Sequence, residues 1–267
     1  MHLGNTGVSS TMPARRFAGG EPSHSSEVVA EETPVTMVFN GSPQAVMMAT
    51  PDDLHDFASG FAITEGFVKA HAELTRIDIV HYSRGVEIQM ETISPIGNDT
   101  PRRRLAGRTG CGICGKDEVD QVLRAIPAVD STSTFSTDAI ARAMRELREQ
   151  QPLNRATGGT HAAGWASLDG QVMLVREDVG RHNALDKLIG ALHCSATEPN
   201  SGFVVLTSRG SFELVQKVAV FGAALLCTVS APTALAIRVA SDANVTLAGF
   251  ARDERVTAYS HTMRITR

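Results

Sequence analysis

From Arg181 to Phe250 the chain switches repeatedly between two hydrophobic periods. Helical spacing over 181–193, 211–221 and 233–243 alternates with extended apolar runs at Phe203–Thr207, Leu225–Ser230 and Val245–Phe250. Strict alternation of this kind implies an α/β layer with parallel strands. Ligands of such sheets gather at the carboxyl ends of the strands. Those ends carry Ser208-Arg209-Gly210, Ser230-Ala231-Pro232-Thr233 and Phe250-Ala251-Arg252.

Upstream of this layer the patterning is different. Val35–Phe39 and Gln44–Ala49 flank Asn40-Gly41, a pair that favours a tight hairpin turn. Thr50-Pro51 then opens a predicted helix through Leu54, Phe57, Ala58, Phe61 and Ala62, with Thr50 as N-cap and Pro51 at the first position. Two further strands, Ile77–Tyr82 and Val86–Ile93, surround Ser83-Arg84-Gly85. Ser136 or Thr137 caps a helix through Ile140, Ala143, Met144 and Leu147 that stops at Pro152. A loop over Asn154–Thr160 leads to a hairpin of His161–Leu168 and Gln171–Val175 about Asp169-Gly170. The expected organisation is a disordered tail over 1–30, rich in Ser, Gly, Thr and Pro, and a smaller α+β region over 31–100. A mobile cysteine loop and helix over 101–130 and an α/β ligand-binding domain over 131–267 follow.

The 267 residues, 42% apolar and 20% charged, suit a globular protein with a sizeable core. A net charge of −4 argues against nucleic-acid binding by bulk electrostatics. No apolar run approaches the roughly 18 residues of a membrane span, and residues 1–30 lack a signal-peptide core. Only four cysteines are present, so the expectation is a cytoplasmic protein with reduced thiols.

Two of those cysteines carry the chemistry. Thr109-Gly-Cys-Gly-Ile-Cys-Gly115 sets Cys111 and Cys114 one helical turn apart on a glycine-rich loop, just ahead of a predicted helix with apolar residues at 119, 122, 123 and 126. Unpaired N–H groups and the positive helix end stabilise a thiolate there, with Arg108 and Lys116 adding charge and Asp117 and Glu118 opposing it. The glycines expose the sulfur. A structural zinc site would need two more ligands at similar spacing, and Cys194 and Cys227 are isolated. A thioredoxin-like pair would open the first helix of a β-α-β unit, whereas this one follows Pro101-Arg102-Arg103-Arg104. His71-Ala72-Glu73 with Cys111-x-x-Cys114 superficially copies a zinc deaminase, but Gly110 replaces the proline before the first cysteine and the histidine lacks its long helix. Cys194 and Cys227 read most simply as packing residues.

The polar clusters are denser than a scaffold requires. Arg176-Glu-Asp-Val-Gly-Arg-His-Asn-Ala-Leu-Asp-Lys187 spans a strand-to-helix turn; His182, Asp186 and Ile189 share one helix face, while Ala184, Leu185, Leu188 and Leu192 make the core stripe. A solvated helix start with ordinary pairing is the alternative to a site. Thr207-Ser208-Arg209-Gly210-Ser211 forms an anion-binding turn in which Arg209 can hold a phosphate.

Taken in order, residues 109–115, 176–187, Ser-Phe-Glu-Leu-Val-Gln-Lys at 211–217, Ser-Ala-Pro-Thr-Ala-Leu-Ala at 230–236 and Thr-Leu-Ala-Gly-Phe-Ala-Arg at 246–252, with Thr64-Glu-Gly66, resemble the formate dehydrogenase accessory sulfurtransferase family, FdhD. The resemblance covers about residues 30–262. It implies an α/β, cytidine-deaminase-like layered fold with a mixed sheet and no catalytic zinc, usually as a homodimer. It implies further that a cysteine desulfurase loads sulfur on Cys111 as a persulfide, with Cys114 assisting or resolving. The sulfur then passes to the molybdenum (or tungsten) bis(molybdopterin guanine dinucleotide) cofactor required by formate dehydrogenase. For cofactor binding the resemblance points to Phe250, Ala251, Arg252, Asp253, Glu254 and Arg255, with His182, Asn183 and Arg209 as further candidates. Phe250 offers a ring for stacking and Arg252 and Arg255 offer charge for pyrophosphate, although a strand-closing core residue is the competing reading of Phe250. Within enzymes the rival function is a zinc-dependent deaminase; outside them it is a non-catalytic chaperone that holds the cofactor.

Overall fold

A computed structural model describes residues 7–95, 126–252 and 254–267. Its N-terminal apolar alternation closes into a four-stranded sheet of β3 (Thr33–Phe39), β4 (Ser42–Ala49), β5 (Leu74–Tyr82) and β6 (Gly85–Thr92), ordered β4-β3-β6-β5. Asn40 and Gly41 both adopt positive φ, 48° and 77°, so the two-residue turn matches strand twist and sets Phe39 opposite Ser42. Helix α1 (Leu54–Thr64) covers this sheet, and Phe57 and Phe61 join Met37, Phe39, Ile88 and Met90 in one core. Each ring buried there contributes about 1.5–3 kcal/mol.

Two expectations for this region fail. Residues 9–30, read as a disordered tail, form an antiparallel hairpin of β1 (Ser9–Arg16) and β2 (Ser23–Ala30). Its side chains are largely exposed, so it left no apolar alternation to read. Thr50 does not cap α1, which begins only at Leu54. Instead Thr50 is buried, its N–H donates to Asp178 Oδ2 at 3.0 Å and its hydroxyl accepts from the Val179 N–H at 3.1 Å. A long-range contact therefore takes over a residue that locally reads as a cap.

The larger unit is built on six strands in the order β13-β12-β11-β10-β8-β9: β8 (His161–Ser167), β9 (Val172–Asp178), β10 (Gly202–Leu206), β11 (Leu225–Thr228), β12 (Thr246–Arg252) and β13 (Arg255–Ala258). Only β10, β11 and β12 run parallel; β8 lies antiparallel to β10, and β13 antiparallel to β12, so the sheet is mixed. Helix α2 (Thr137–Glu149) packs Ile140, Ala143, Met144 and Leu147 onto it, and its start is capped by Ser136 Oγ, which accepts from the Ala139 N–H at 3.1 Å. A short helix α3 (Pro152–Thr157) occupies part of the predicted loop at 154–160. It forms because the Glu177 carboxylate accepts from the N–H groups of Leu153 and Asn154, supplying from another strand the cap that the local sequence lacks. Three more helices, α4 (Arg181–Cys194), α5 (Phe212–Phe221) and α6 (Ala234–Asp242), follow the predicted alternation. A pair of two-residue strands, β7 (Phe135–Ser136) and β14 (Ile265–Thr266), ties the C-terminus back to α2.

The two units meet along α1 and α4. A Cβ on Gly60 would overlap the Asp186 carbonyl, and one on Gly190 would overlap the Asp56 carbonyl, so the helix backbones touch where both lack side chains. This crossing buries α4 on all sides, from His182 to Leu192.

Candidate functional site

At the carboxyl edge of the parallel strands, Thr207 after β10, Val229 after β11, and Ala251 and Arg252 at the end of β12 border a cavity of about 590 Å3. Because β8 runs the other way, its first residue, His161, stands at the same edge. Arg145, Arg148 and Gln151 close the space from the side of α2.

Beside this cavity the β12–β13 ladder is irregular: Gly249 pairs with Thr257, but Arg252 pairs with Arg255, and the register shifts between them. Phe250 lies at the shift with φ of 52°, a costly conformation for an aromatic residue. It is 51% exposed, so it does not close the core as its competing reading required. A bulge of this type re-aims side chains. Here Ala251 is buried while Phe250, Arg252, Glu254 and Arg255 are exposed. Of the sequence-predicted residues that are described, only Ala251 and Arg252 line the cavity. Asp253, Cys111 and Cys114 lie outside the described residues.

The polar motifs at 176–187 and 211–217 do something else. Asp178 is fully buried; its Oδ2 takes the Lys187 ammonium at 2.8 Å, and its Oδ1 accepts from the Gly180 N–H and the Asn183 amide. Asn183 also donates to the Met48 carbonyl. Lys217 Nζ donates to both oxygens of Asp186, at 2.8 and 3.0 Å, to Glu65 Oε1 at 2.9 Å and to Thr64 Oγ1 at 2.8 Å. Burial pushes the Asp186 carboxyl up, and the Lys217 ammonium and Thr64 hydroxyl draw it back. Arg176 pairs with Asp56 at 2.7 Å, and His182 Nε2 with Glu213 Oε2 at 3.0 Å. The solvated helix start is thus replaced by a buried lattice joining α1, α4 and α5. His182 and Asn183 belong to that lattice rather than to the cavity lining; Arg209 is exposed on the turn after β10.

Among the described cysteines, Cys227 is fully buried in β11 and its thiol is pushed up to about 12, which keeps it protonated and inert. Cys194 corrects the packing expectation, since it is exposed at the end of α4. Its Sγ lies 3.7 Å from His71 Nδ1, and partial burial still raises its pKa. It borders a second cavity of about 740 Å3, mostly apolar, whose Arg176 is already engaged by Asp56.

Sequence reading missed Arg145, Arg148, Gln151 and His161. The signal was present in the i, i+3 spacing of the two arginines, but nothing local indicated that α2 packs beside the strand ends.

Burial pushes the pKa values of His182, His161 and His193 down; the Glu213 carboxylate draws His182 part of the way back, and nearby positive groups add to the downward shift. A chain whose folded histidines hold protons less tightly than the unfolded ones loses stability as pH falls below about 6.5. The urea midpoint is accordingly expected to be lower at pH about 5.5 than at about 7.5, with a smaller difference in His182→Gln. A pH difference left unchanged by His182→Gln would contradict the burial of that ring.

The fold and its strand ends define a mixed α/β protein with an arginine-lined cavity at the carboxyl edge of its parallel strands. The FdhD/NarQ family profile matches residues 30–266, and the chain belongs to that family. It is 50% identical to the sulfur carrier protein FdhD of Bordetella petrii over 90% of this chain and 87% of the relative. It is 48% identical to the protein of the same name from Cupriavidus necator, over 96% and 90%. A crystal structure assigned as a formate dehydrogenase accessory protein of Desulfotalea psychrophila has the same fold, with a TM-score of 0.75 at 23% identity, covering 97% of this chain and all of that one. No described helix is long and apolar enough to cross a membrane.

Proposed function

We propose that this chain is a cytoplasmic sulfurtransferase, acting as a homodimer, that carries sulfur from a cysteine desulfurase to the molybdenum bis(molybdopterin guanine dinucleotide) cofactor of formate dehydrogenase. Its mixed α/β framework is read as a cytidine-deaminase-like scaffold without catalytic zinc. The observation that carries the reading is the cationic chamber at the strand ends beside the exposed Phe250 ring, in a chain whose relatives are named sulfur carriers. A pterin guanine dinucleotide presents both an aromatic base to stack and a pyrophosphate to neutralise, which is what this edge offers.

In the sulfur steps Cys111 thiolate attacks the outer sulfur of the desulfurase persulfide; the donor leaves as a thiolate and Cys111 becomes a persulfide. Attack by Cys114 on the inner sulfur releases the outer one as hydrosulfide for the metal, leaving a disulfide that a thiol reductant reopens. The bound cofactor is the substrate of this delivery, held through Phe250, Arg252 and Arg255.

Intact-mass spectrometry after incubation with a cysteine desulfurase and cysteine tests the carrier. One reductant-labile sulfur is expected on the native chain, on Cys194→Ala and on Cys227→Ala, and none on Cys111→Ala. Undiminished loading of Cys111→Ala would remove Cys111 as the carrier.

A further inference from the structure

Helix α2 brings a cationic face to the strand-end cavity that none of the motifs at the strand ends contains. Arg142, Arg145 and Arg148 recur every three residues, which makes them neighbours on one side of the helix. They are not equivalent. Arg142 is engaged by Glu146 at 2.7 Å and by Asp169 at 3.0 Å. Arg145 and Arg148, which border the cavity, form no ion pair among the described residues, and the described lining contains no carboxylate. Together with Arg252 they place three arginines on one cavity lining in which no carboxylate is found among the described residues. A single phosphate is satisfied by one bidentate arginine, so three suit two linked phosphates.

A second observation points to a ligand at the same place. Gln151, just beyond α2, is 4% exposed and borders the cavity. Its Nε2 donates to the Leu147 carbonyl at 2.8 Å, which fixes the amide orientation, and its Oε1 is buried without a partner among the described residues. Buried acceptors left unmade are uncommon in folded proteins, and a donor from a ligand would complete this one.

We infer that α2 is the second wall of the nucleotide site: Arg145 and Arg148 hold a pyrophosphate opposite Arg252, and Gln151 Oε1 accepts a hydrogen bond from the same ligand. The inference rests on the reading that a guanine nucleotide occupies the strand-end cavity, and it adds residues that lie outside the Phe250–Arg255 segment.

Calorimetric titration with guanosine diphosphate, guanosine and inorganic pyrophosphate tests it on the full chain. Arg145→Ala and Arg148→Ala are each expected to weaken guanosine diphosphate binding roughly tenfold while leaving guanosine unchanged. Arg155→Ala, on an exposed arginine of α3 outside the lining, should bind like the native chain. All three side chains are exposed, so the thermal midpoint checks that folding is intact. If guanosine diphosphate binds the native chain and both α2 variants equally, the α2 wall is overturned and the nucleotide reading stands. If pyrophosphate binds in an α2-dependent way while guanosine diphosphate does not bind at all, the wall stands as an anion site and the nucleotide reading falls.

Discussion

Replacing Lys217 with methionine is expected to lower the unfolding free energy by about 3–5 kcal/mol, among the largest single-residue effects in this fold. The lysine is 6% exposed and sits between Asp186, 2% exposed, and Glu65, 6% exposed. Removing it leaves two carboxylates in a site that water does not reach, and takes from Thr64 the ammonium that donates to its hydroxyl. The penalty belongs to those stranded charges more than to the lost attraction. Combining Lys217→Met with Asp186→Asn and Glu65→Gln should therefore recover part of the loss, although each single carboxylate substitution is destabilising alone. Urea denaturation of the native chain, the three single variants and the triple variant gives the answer. A loss below about 1 kcal/mol for Lys217→Met would mean that the trio is solvated, as surface ion pairs are.

The second large effect is on activity. Cys111→Ser is expected to leave formate dehydrogenase inactive in cells lacking the native protein, while guanine nucleotide affinity stays within a few-fold. A hydroxyl cannot hold sulfane sulfur, so carriage fails even where binding survives. Arg252→Ala should do the reverse: it still accepts sulfur but binds nucleotide more weakly, by about 1–3 kcal/mol for a lost charge-assisted contact. The assays are persulfide loading, nucleotide titration and dehydrogenase activity. Full rescue by Cys111→Ser would favour a chaperone that holds the cofactor without moving sulfur.

Periodicity alone determined most elements of this protein, because apolar spacing is a local property. The hairpin about Asn40-Gly41, the Ser136-capped helix and the strand–helix alternation after Arg181 all stand within a few residues of their expected bounds. The ordered motifs also carried family membership, which residues 30–266 bear out. Tertiary structure alone decided how the charges are used. Helical spacing shows that His182 and Asp186 share a face, but not that α1 covers that face, because the contact depends on Gly60 and Gly190 meeting across 130 residues of sequence. Asp186 meets Lys217 when α4 and α5 pack within the larger unit, but it finds Thr64, and Thr50 finds Asp178, only after the two units dock. The same holds for the chamber. Arg145 and Arg148 come to line the same cavity as Arg252 because α2 packs beside the strand ends. Burial and counter-charge are properties of the assembled surface, and no window of the chain contains them.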